Sequence, residues 1–219
     1  MDISRQSTET NADPERGPRA RTRRLMLETA TRLMQSGATP SVSEVAEAAE
    51  VSRATAYRYF PSQAALVHAV VDEALGPILT RTSTRGDAAG RIDDLFRTSL
   101  PRIEEFEATF KAALKLSLDQ GAKRQAGSLG DEPRFTRGHR IDLLDEALEP
   151  LRGDLSGDEY LRLAQALSLF FGVEALVVLK DIWGLDSERV QSVARWAASA
   201  LVRAATAETV EQPEAGSGS

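Results

Sequence analysis

The helical spacing of apolar residues along nearly the whole chain is the feature that most constrains its fold. Apolar residues recur three or four positions apart in segment after segment, and serines, glycines and prolines separate the segments. No stretch of strand length alternates apolar with polar residues. Because this spacing is typical of amphipathic helices packed against one another, the sequence predicts an all-α protein.

About nine helices account for these segments. They are predicted at residues 20–35, 41–49, 52–59, 62–76, 88–100, 102–120, 138–151, 157–181 and 187–206. Pro101 is expected to separate two of them, and the strongly apolar segment 157–181 is interpreted as one buried helix. Residues 1–18 and 207–219 lack apolar periodicity and are predicted to be disordered.

Three serines mark the starts of consecutive short helices near the N-terminus. Ser41 can cap the first of them, with Glu44 reaching back as a capping box, and Ser52 and Ser62 can cap the next two. The segment from Ser41 to Tyr59 thus has the helix length and turn length of a DNA-binding helix-turn-helix. We therefore predict a helix-turn-helix domain at residues 19–66 and a larger helical domain at residues 67–206.

The second short helix combines an apolar inner side with an unusual outer side. Ala56 and Phe60 can face inward, which leaves five polar or aromatic side chains mostly outward: Arg53, Thr55, Tyr57, Arg58 and Tyr59. In a DNA major groove, arginine can donate two hydrogen bonds to guanine, threonine can contact a thymine methyl group or a phosphate, and tyrosine hydroxyls can bind phosphates.

Charge is divided unevenly along the chain, whose net charge is −6. Residues 16–60 hold eight arginines and four glutamates, a local net charge of +4, whereas residues 61–219 hold 18 Lys/Arg and 25 Asp/Glu, a net charge of −7. The basic module is therefore the candidate for contact with phosphates, and the acidic body is expected to have another task.

The sequence lacks the usual signatures of an enzyme, a metal site or a cofactor site. It has no cysteine, and His68 and His139 do not have the spacing of metal ligands, so each is expected to be structural or exposed. Neither a leader nor an uninterrupted membrane span is evident, which favours the cytoplasm. We expect no enzymatic activity, no cofactor and no metal.

Residues 26–37, 41–46 and 51–66 resemble the tetracycline-repressor family (TetR/AcrR) of bacterial regulators in their apolar positions, caps and aromatic residues. The resemblance implies base contacts by Arg53, Thr55, Arg58 and Tyr59, and phosphate contacts by Ser41, Ser43, Tyr57 and Gln63. Tyr57 could instead pack against the first helix. Four arginines, predicted to lie at or before the start of that helix, are either a solvated arm or DNA contacts: Arg19, Arg21, Arg23 and Arg24.

Two positions depart from the pattern of the resembled family. Glu50 stands where the family usually has a turn glycine, and a left-handed conformation there costs a non-glycine residue about 1 kcal/mol. The turn is therefore either less sharp or strained. Gln63 stands where the family usually has lysine, so a phosphate contact there lacks charge assistance.

The larger domain is expected to form a homodimer, because two recognition helices must be held at a fixed spacing on DNA. The predicted interface comes from the last two helices: Leu167, Phe171, Val190, Val193, Ala194, Ala197, Leu201 and Ala204. The alternative is a helix pair packed inside one chain. The resemblance also implies an apolar pocket for a small-molecule effector, and eight residues could line it or simply form core: Phe96, Phe106, Phe110, Leu114, Leu118, Leu144, Phe170 and Trp183.

These features together predict a transcriptional regulator that binds a palindromic DNA operator and is released from it by a small molecule. The resemblance implies a repressor, although the residues alone leave repression and activation open. The alternative is an all-α protein that binds a small molecule or a protein partner and has no affinity for DNA. Salt-sensitive binding to palindromic DNA distinguishes the two.

Overall fold

The computed structural model describes residues 17–210, with side chains through residue 207. Within that range it contains ten α-helices and no strand, which confirms the all-α prediction. The ten helices are α1 (Pro18–Gln35), α2 (Val42–Ala48), α3 (Arg53–Tyr59), α4 (Gln63–Leu75), α5 (Ala88–Glu105), α6 (Glu107–Gln125), α7 (His139–Leu148), α8 (Gly157–Ser168), α9 (Val173–Leu176) and α10 (Ser187–Val210). A π-helical segment, Val177–Ile182, continues α9.

At both ends of the described chain, a helix extends into a segment that was predicted to be disordered. Helix α1 begins at Pro18, a residue whose fixed φ suits the first position of a helix. Helix α10 continues four residues past its predicted end to Val210. The rest of both predicted disordered segments lies outside the described residues.

Two apolar cores organise the fold. The N-terminal core is formed by α1 to α4, with Ala112, Ala113 and Leu116 of α6 and Phe135 packed against them. The second core is formed by the C-terminal end of α4 together with α5, α7, α8, α9 and α10. Helix α4 contributes to both cores, and it therefore connects the N-terminal domain to the body.

The predicted break at Pro101 is wrong. Helix α5 continues through this proline to Glu105, and α6 begins directly after Phe106. Proline removes one backbone hydrogen bond and normally kinks or ends a helix. Leu100 and Ile103 are buried on either side of Pro101, so core packing holds the helix together.

The predicted single helix over 157–181 is also wrong, because it is divided into α8 and α9. The chain turns at Gly172, whose φ of 139° is a conformation that side-chain-bearing residues rarely adopt. A Cβ at this position would lie 2.2 Å from a guanidinium nitrogen of Arg140. Between residues 17 and 210 no single helix is long and apolar enough to span a membrane; α8 and the Val173–Ile182 segment pass that test only as a pair bent by 50°.

The turn after α2 has the left-handed residue that the sequence raised as a possibility. Glu50 has a φ of 55° and is the one non-glycine residue with positive φ in the described part of the chain. The N–H of Val51 donates to the carbonyl of Ala46 at 2.8 Å, and the N–H of Glu50 donates to that of Glu47 at 3.1 Å. These two bonds form a Schellman motif, so the turn is sharp and Glu50 carries the strain.

Replacing Glu50 with glycine is expected to stabilise the protein by about 0.5–1 kcal/mol, because glycine adopts a left-handed conformation without a steric cost. In a chain of this length that corresponds to about 1–4 °C in the thermal unfolding midpoint. The control is Glu50→Ala, which removes the same charge and retains the strain. A glycine variant no more stable than the alanine variant would show that Glu50 is not strained.

Candidate nucleic-acid interface and internal pocket

Local hydrogen bonds and core packing fix the orientation of α3. The Ser52 hydroxyl accepts a hydrogen bond from the N–H of Thr55 and donates one to the Thr55 hydroxyl at 2.9 Å. Ala56 and Phe60 are buried in the N-terminal core, as the sequence predicts. With this side of α3 packed inward, the opposite side faces solvent.

Three of the five side chains predicted to face outward from α3 are exposed, namely Arg53, Tyr57 and Arg58. The other two residues predicted to be outward are half-buried. Thr55 is hydrogen-bonded to Ser52, and Tyr59 packs against the N-terminal core. The Arg58 guanidinium lies 5.5 Å from the centre of the Tyr59 ring, close enough for a cation–π contact. The two arginines are therefore the residues of α3 best placed to reach base edges.

Helix α2 presents two serines beside α3. The Ser43 hydroxyl lies 3.2 Å from the Tyr57 hydroxyl, so these two predicted phosphate ligands are neighbours on one surface. Tyr57 is 45% exposed, so nearly half of its surface is open to solvent. The Ser41 hydroxyl accepts a hydrogen bond from the N–H of Glu44 and donates to the Glu44 carboxylate, so a phosphate contact by this hydroxyl requires the second bond to open.

The capping box that the sequence predicts at α2 is present. The Glu44 carboxylate accepts a hydrogen bond from the N–H of Ser41 at 2.7 Å. Hydrogen bonds from the backbone and the hydroxyl of Ser41 hold the pKa of Glu44 below its ordinary value. Glu44 therefore stays ionised near neutral pH, and its charge is committed to ordering the start of α2.

Gln63 is held against the loop between α1 and α2. Its side-chain amide donates to the carbonyls of Thr39 at 3.0 Å and Pro40 at 3.1 Å. Both hydrogens of the amide are then used, so a phosphate contact by this side chain requires these bonds to open. In the structure Gln63 orients the start of α4 and does not present a free donor.

The four N-terminal arginines are not an arm preceding the first helix, which corrects that interpretation. All four lie within α1 and are exposed: Arg19, Arg21, Arg23 and Arg24. The Arg23 guanidinium is 5.6 Å from the ring centre of Phe60, at the end of α3. Helix α1 begins earlier than predicted, at Pro18. Its first backbone hydrogen bond runs from the N–H of Arg21 to the carbonyl of Gly17.

A cleft lies between α4 and the helices of the body. Its volume is about 620 Å³ when the open space at its mouth is included. Its walls come from α4, α5, α6, α7 and the segments before α7 and α9. The residues that line this internal pocket are His68, Val71, Leu75, Ile103, Phe110, Ala113, Phe135, Thr136, Arg137, His139, Arg140, Leu143, Phe171, Gly172 and Val173.

Only one of the residues predicted to line a pocket, Phe110, lines this one. Phe96 and Leu144 are fully buried core residues, and three others are half-buried against the same core: Phe106, Leu114 and Phe170. Leu118 and Trp183 are 63% and 71% exposed. Four basic residues that line the pocket were not predicted to do so from the sequence: His68, Arg137, His139 and Arg140. Arg137 and Arg140 belong to a charged, glycine-containing stretch of sequence that is typical of a solvated loop.

The predicted interface residues differ in how far they are exposed on the single chain. Five are buried within the chain itself, namely Leu167, Phe171, Val190, Ala194 and Ala197, so the alternative of an intramolecular helix pair describes their packing. Val193 and Ala204 are exposed, and Leu201 is half-buried. Large apolar side chains that the sequence did not single out are also exposed on α8, α10 and the segment after α9: Leu161, Leu169, Val178, Ile182 and Trp196.

No group of three or more metal-ligating side chains lies close enough to hold a metal ion within residues 17–210. His139 instead pairs with Asp72 at 2.6 Å, and the N–H of Thr136 donates to His68 Nε2 at 3.3 Å. Burial lowers the pKa of His68, which outweighs the opposite effect of Asp72. His68 is therefore a neutral pocket residue near neutral pH.

Comparison with known proteins gives the same picture for the N-terminal domain. Residues 26–70 match the family model described as bacterial regulatory proteins, tetR family. The search of curated proteins gave no match. The fold is similar to the crystal structure of a TetR transcriptional regulator from Rhodococcus sp. RHA1, with a TM-score of 0.56 and 20% identity over 85% of this chain and 97% of that one.

A second solved structure, from Mesorhizobium loti MAFF303099 and assigned to the same family, has a TM-score of 0.49 and 19% identity over 88% of this chain and 98% of that one. The family match covers α2, α3 and most of α1 and α4, where the sequence predicts the helix-turn-helix. Residues 26–70 thus match the tetR-family model, and the chain shares the fold of the Rhodococcus structure.

Proposed function

We propose that the chain is a homodimeric transcriptional repressor that binds a palindromic operator and releases it when a small molecule occupies the internal pocket. The observation that carries this proposal is the geometry of α3. Its inner side is fixed by Ser52, Ala56 and Phe60, and its outer side leaves Arg53 and Arg58 exposed. A short helix held in this way suits entry into a major groove.

Phosphate contacts would come from the surface around α3. Ser41, Ser43 and Tyr57 place three hydroxyl groups beside it, and the four exposed arginines of α1 add positive charge. These groups carry no sequence information themselves, but they position a protein on the duplex. Base specificity is assigned to Arg53 and Arg58, with Thr55 and Tyr59 at the edge of the contact.

Dimerisation is assigned to the exposed apolar side chains of α8, α10 and the segment after α9. Trp196 is 69% exposed on α10, and Trp183 and Ile182 are more than 70% exposed just before it. Large exposed apolar surfaces on a monomer mark interaction sites. A two-fold pairing through these helices would set the spacing of about 34–36 Å that two α3 helices need in successive grooves.

Helix α4 supplies the connection between pocket and DNA. His68, Val71 and Leu75 line the internal pocket, while Leu66 and Val67 of the same helix are buried in the N-terminal core. Phe135 also belongs to both places, and its ring centre is 4.6 Å from that of His68. A ligand that shifts α4 would move the N-terminal domain, with a coupling of about 1–3 kcal/mol.

The proposal is tested by fluorescence anisotropy with DNA fragments selected from the source genome, across a range of salt concentrations. We expect tight binding to a palindromic fragment that weakens by about 10³–10⁵-fold between 50 and 200 mM salt if six to ten phosphates are contacted. A scrambled fragment of the same length is the control. Absence of salt-sensitive, sequence-selective binding would favour a helical binding protein without DNA affinity.

A further inference from the structure

The ionisable side chains that line the internal pocket all belong to basic residues. They are His68, Arg137, His139 and Arg140, and no acidic side chain lines the pocket. Apart from Thr136 and Gly172, the remaining lining residues are apolar. The pocket therefore combines a hydrophobic interior with basic groups, whereas the body of the protein as a whole is acidic.

Two of the basic residues share one carboxylate. Arg137 and Arg140 both form ion pairs with Glu174, and Arg140 also donates to the carbonyl of Ser168 at 2.9 Å. Burial raises the pKa of Glu174, but the hydrogen bond and charge of Arg140 outweigh burial and lower the pKa overall. Glu174 is therefore ionised, and the group of two arginines and one glutamate has one positive charge in excess.

The two histidines add little to this excess. Burial lowers the pKa of His68, so its ring is neutral near neutral pH. His139 is paired with Asp72, whose carboxylate lies 2.6 Å from the His139 ring nitrogen. The uncompensated charge at the pocket thus belongs to the guanidinium groups, whose planar arrangement of N–H donors matches a carboxylate.

We propose that the ligand of the internal pocket is an apolar monocarboxylic acid, bound as its anion. Its hydrophobic part would lie against apolar walls such as Phe110, Phe135 and Ile103, and its carboxylate would bind Arg137 and Arg140. One excess positive charge suits a monoanion; a cation would be repelled, and a neutral ligand would leave that charge uncompensated. This inference rests on the proposed role of the pocket as the effector site.

The test measures ligand binding by calorimetry on the full chain without DNA. The probes are hexanoate, decanoate and 2-naphthoate, each with the alcohol and the amine that have the same carbon skeleton. We expect at least one acid to bind about 10-fold or more tightly than its alcohol and amine, because hydrogen bonds to charged groups are worth about 10-fold or more in affinity.

The variants are Arg137→Gln and Arg134→Gln. Arg137 lines the pocket, whereas Arg134 is an exposed arginine three residues earlier that does not. We expect Arg137→Gln to weaken binding of the acid by about 10-fold or more and to leave binding of the alcohol unchanged, while Arg134→Gln affects neither. Equal effects of the two variants, or an alcohol that binds as tightly as its acid, would overturn the inference.

Operator binding, measured on the same samples, separates this inference from the proposed function. A protein that binds DNA but none of the acids would overturn the ligand class and leave the regulator assignment standing. A protein that binds an acid through Arg137 but never binds DNA would support the ligand class and overturn the regulator assignment. Release of DNA by the acid that binds would support both.

Discussion

Replacing Arg53 and Arg58 together with alanine is expected to weaken operator binding by about 2–6 kcal/mol, or roughly 30-fold at the least. Each arginine is exposed on α3 and can donate two hydrogen bonds to a guanine, a contact worth about 1–3 kcal/mol of discrimination. Selectivity for the operator over scrambled DNA should fall with affinity. Anisotropy titrations of both DNAs measure the two effects together.

The matched control for this variant is Arg124→Ala with Arg134→Ala. It removes the same number of charges from two exposed arginines in the body of the protein. We expect the control to keep its operator selectivity, and circular dichroism should show unchanged helix content in both variants because none of these side chains is buried. A double α3 variant that binds the operator as tightly as the control would remove α3 from the recognition surface.

Replacing Trp196 with glutamate is expected to raise the dimer dissociation constant by about 30-fold or more, since truncation of a central interface tryptophan alone typically costs at least about 2 kcal/mol. Trp196 is 69% exposed on α10, so the substitution should not disturb the core of the subunit. Sedimentation equilibrium measures the dissociation constant. Operator binding should weaken in parallel at protein concentrations where the dimer dissociates.

Leu118→Glu is the matched control for the interface. Leu118 is 63% exposed on α6, which lies outside the proposed interface. The substitution places the same negative charge at an exposed apolar position. We expect this variant to remain dimeric. The interface assignment fails if Leu118→Glu dissociates the protein and Trp196→Glu does not, or if the unmodified chain is a monomer.

The local features of the N-terminal domain could be predicted from sequence because neighbouring residues determine them. Ser41, Ser52 and Ser62 cap the three helices that they were expected to cap. Each cap depends on hydrogen bonds within three residues, so no distant contact is needed to foresee it. The conformation of Glu50 could not be predicted in this way, because the sequence is compatible with either a relaxed turn or a strained residue.

The errors in helix boundaries come from competition between local and tertiary effects. Pro101 normally ends a helix, but burial of Leu100 and Ile103 in the second core outweighs the lost hydrogen bond. At Gly172 the opposite occurs, because a strongly apolar segment is interrupted where the backbone passes close to Arg140. Neither outcome is visible without knowing which helices pack there.

The pocket and interface residues could not be assigned from the sequence for a related reason. Helical spacing shows that a residue is on an apolar face, but not which neighbour covers that face. Val190 and Ala194 are buried in the second core, whereas Trp196 on the same helix is exposed to solvent. Arg137 and Arg140 resemble an ordinary solvated loop in sequence, and only the fold brings them to Glu174.

The most direct test of the central claim, that two α3 helices read DNA from the major groove, is methylation protection of the selected operator. Guanine N7 lies in the major groove, where Arg53 or Arg58 would bind it. The account predicts protected guanines in two inverted half-sites whose centres are separated by about 10–10.5 base pairs or a multiple of that distance. Protection without two-fold symmetry, or a bound operator with no protected guanine N7 at all, would contradict it.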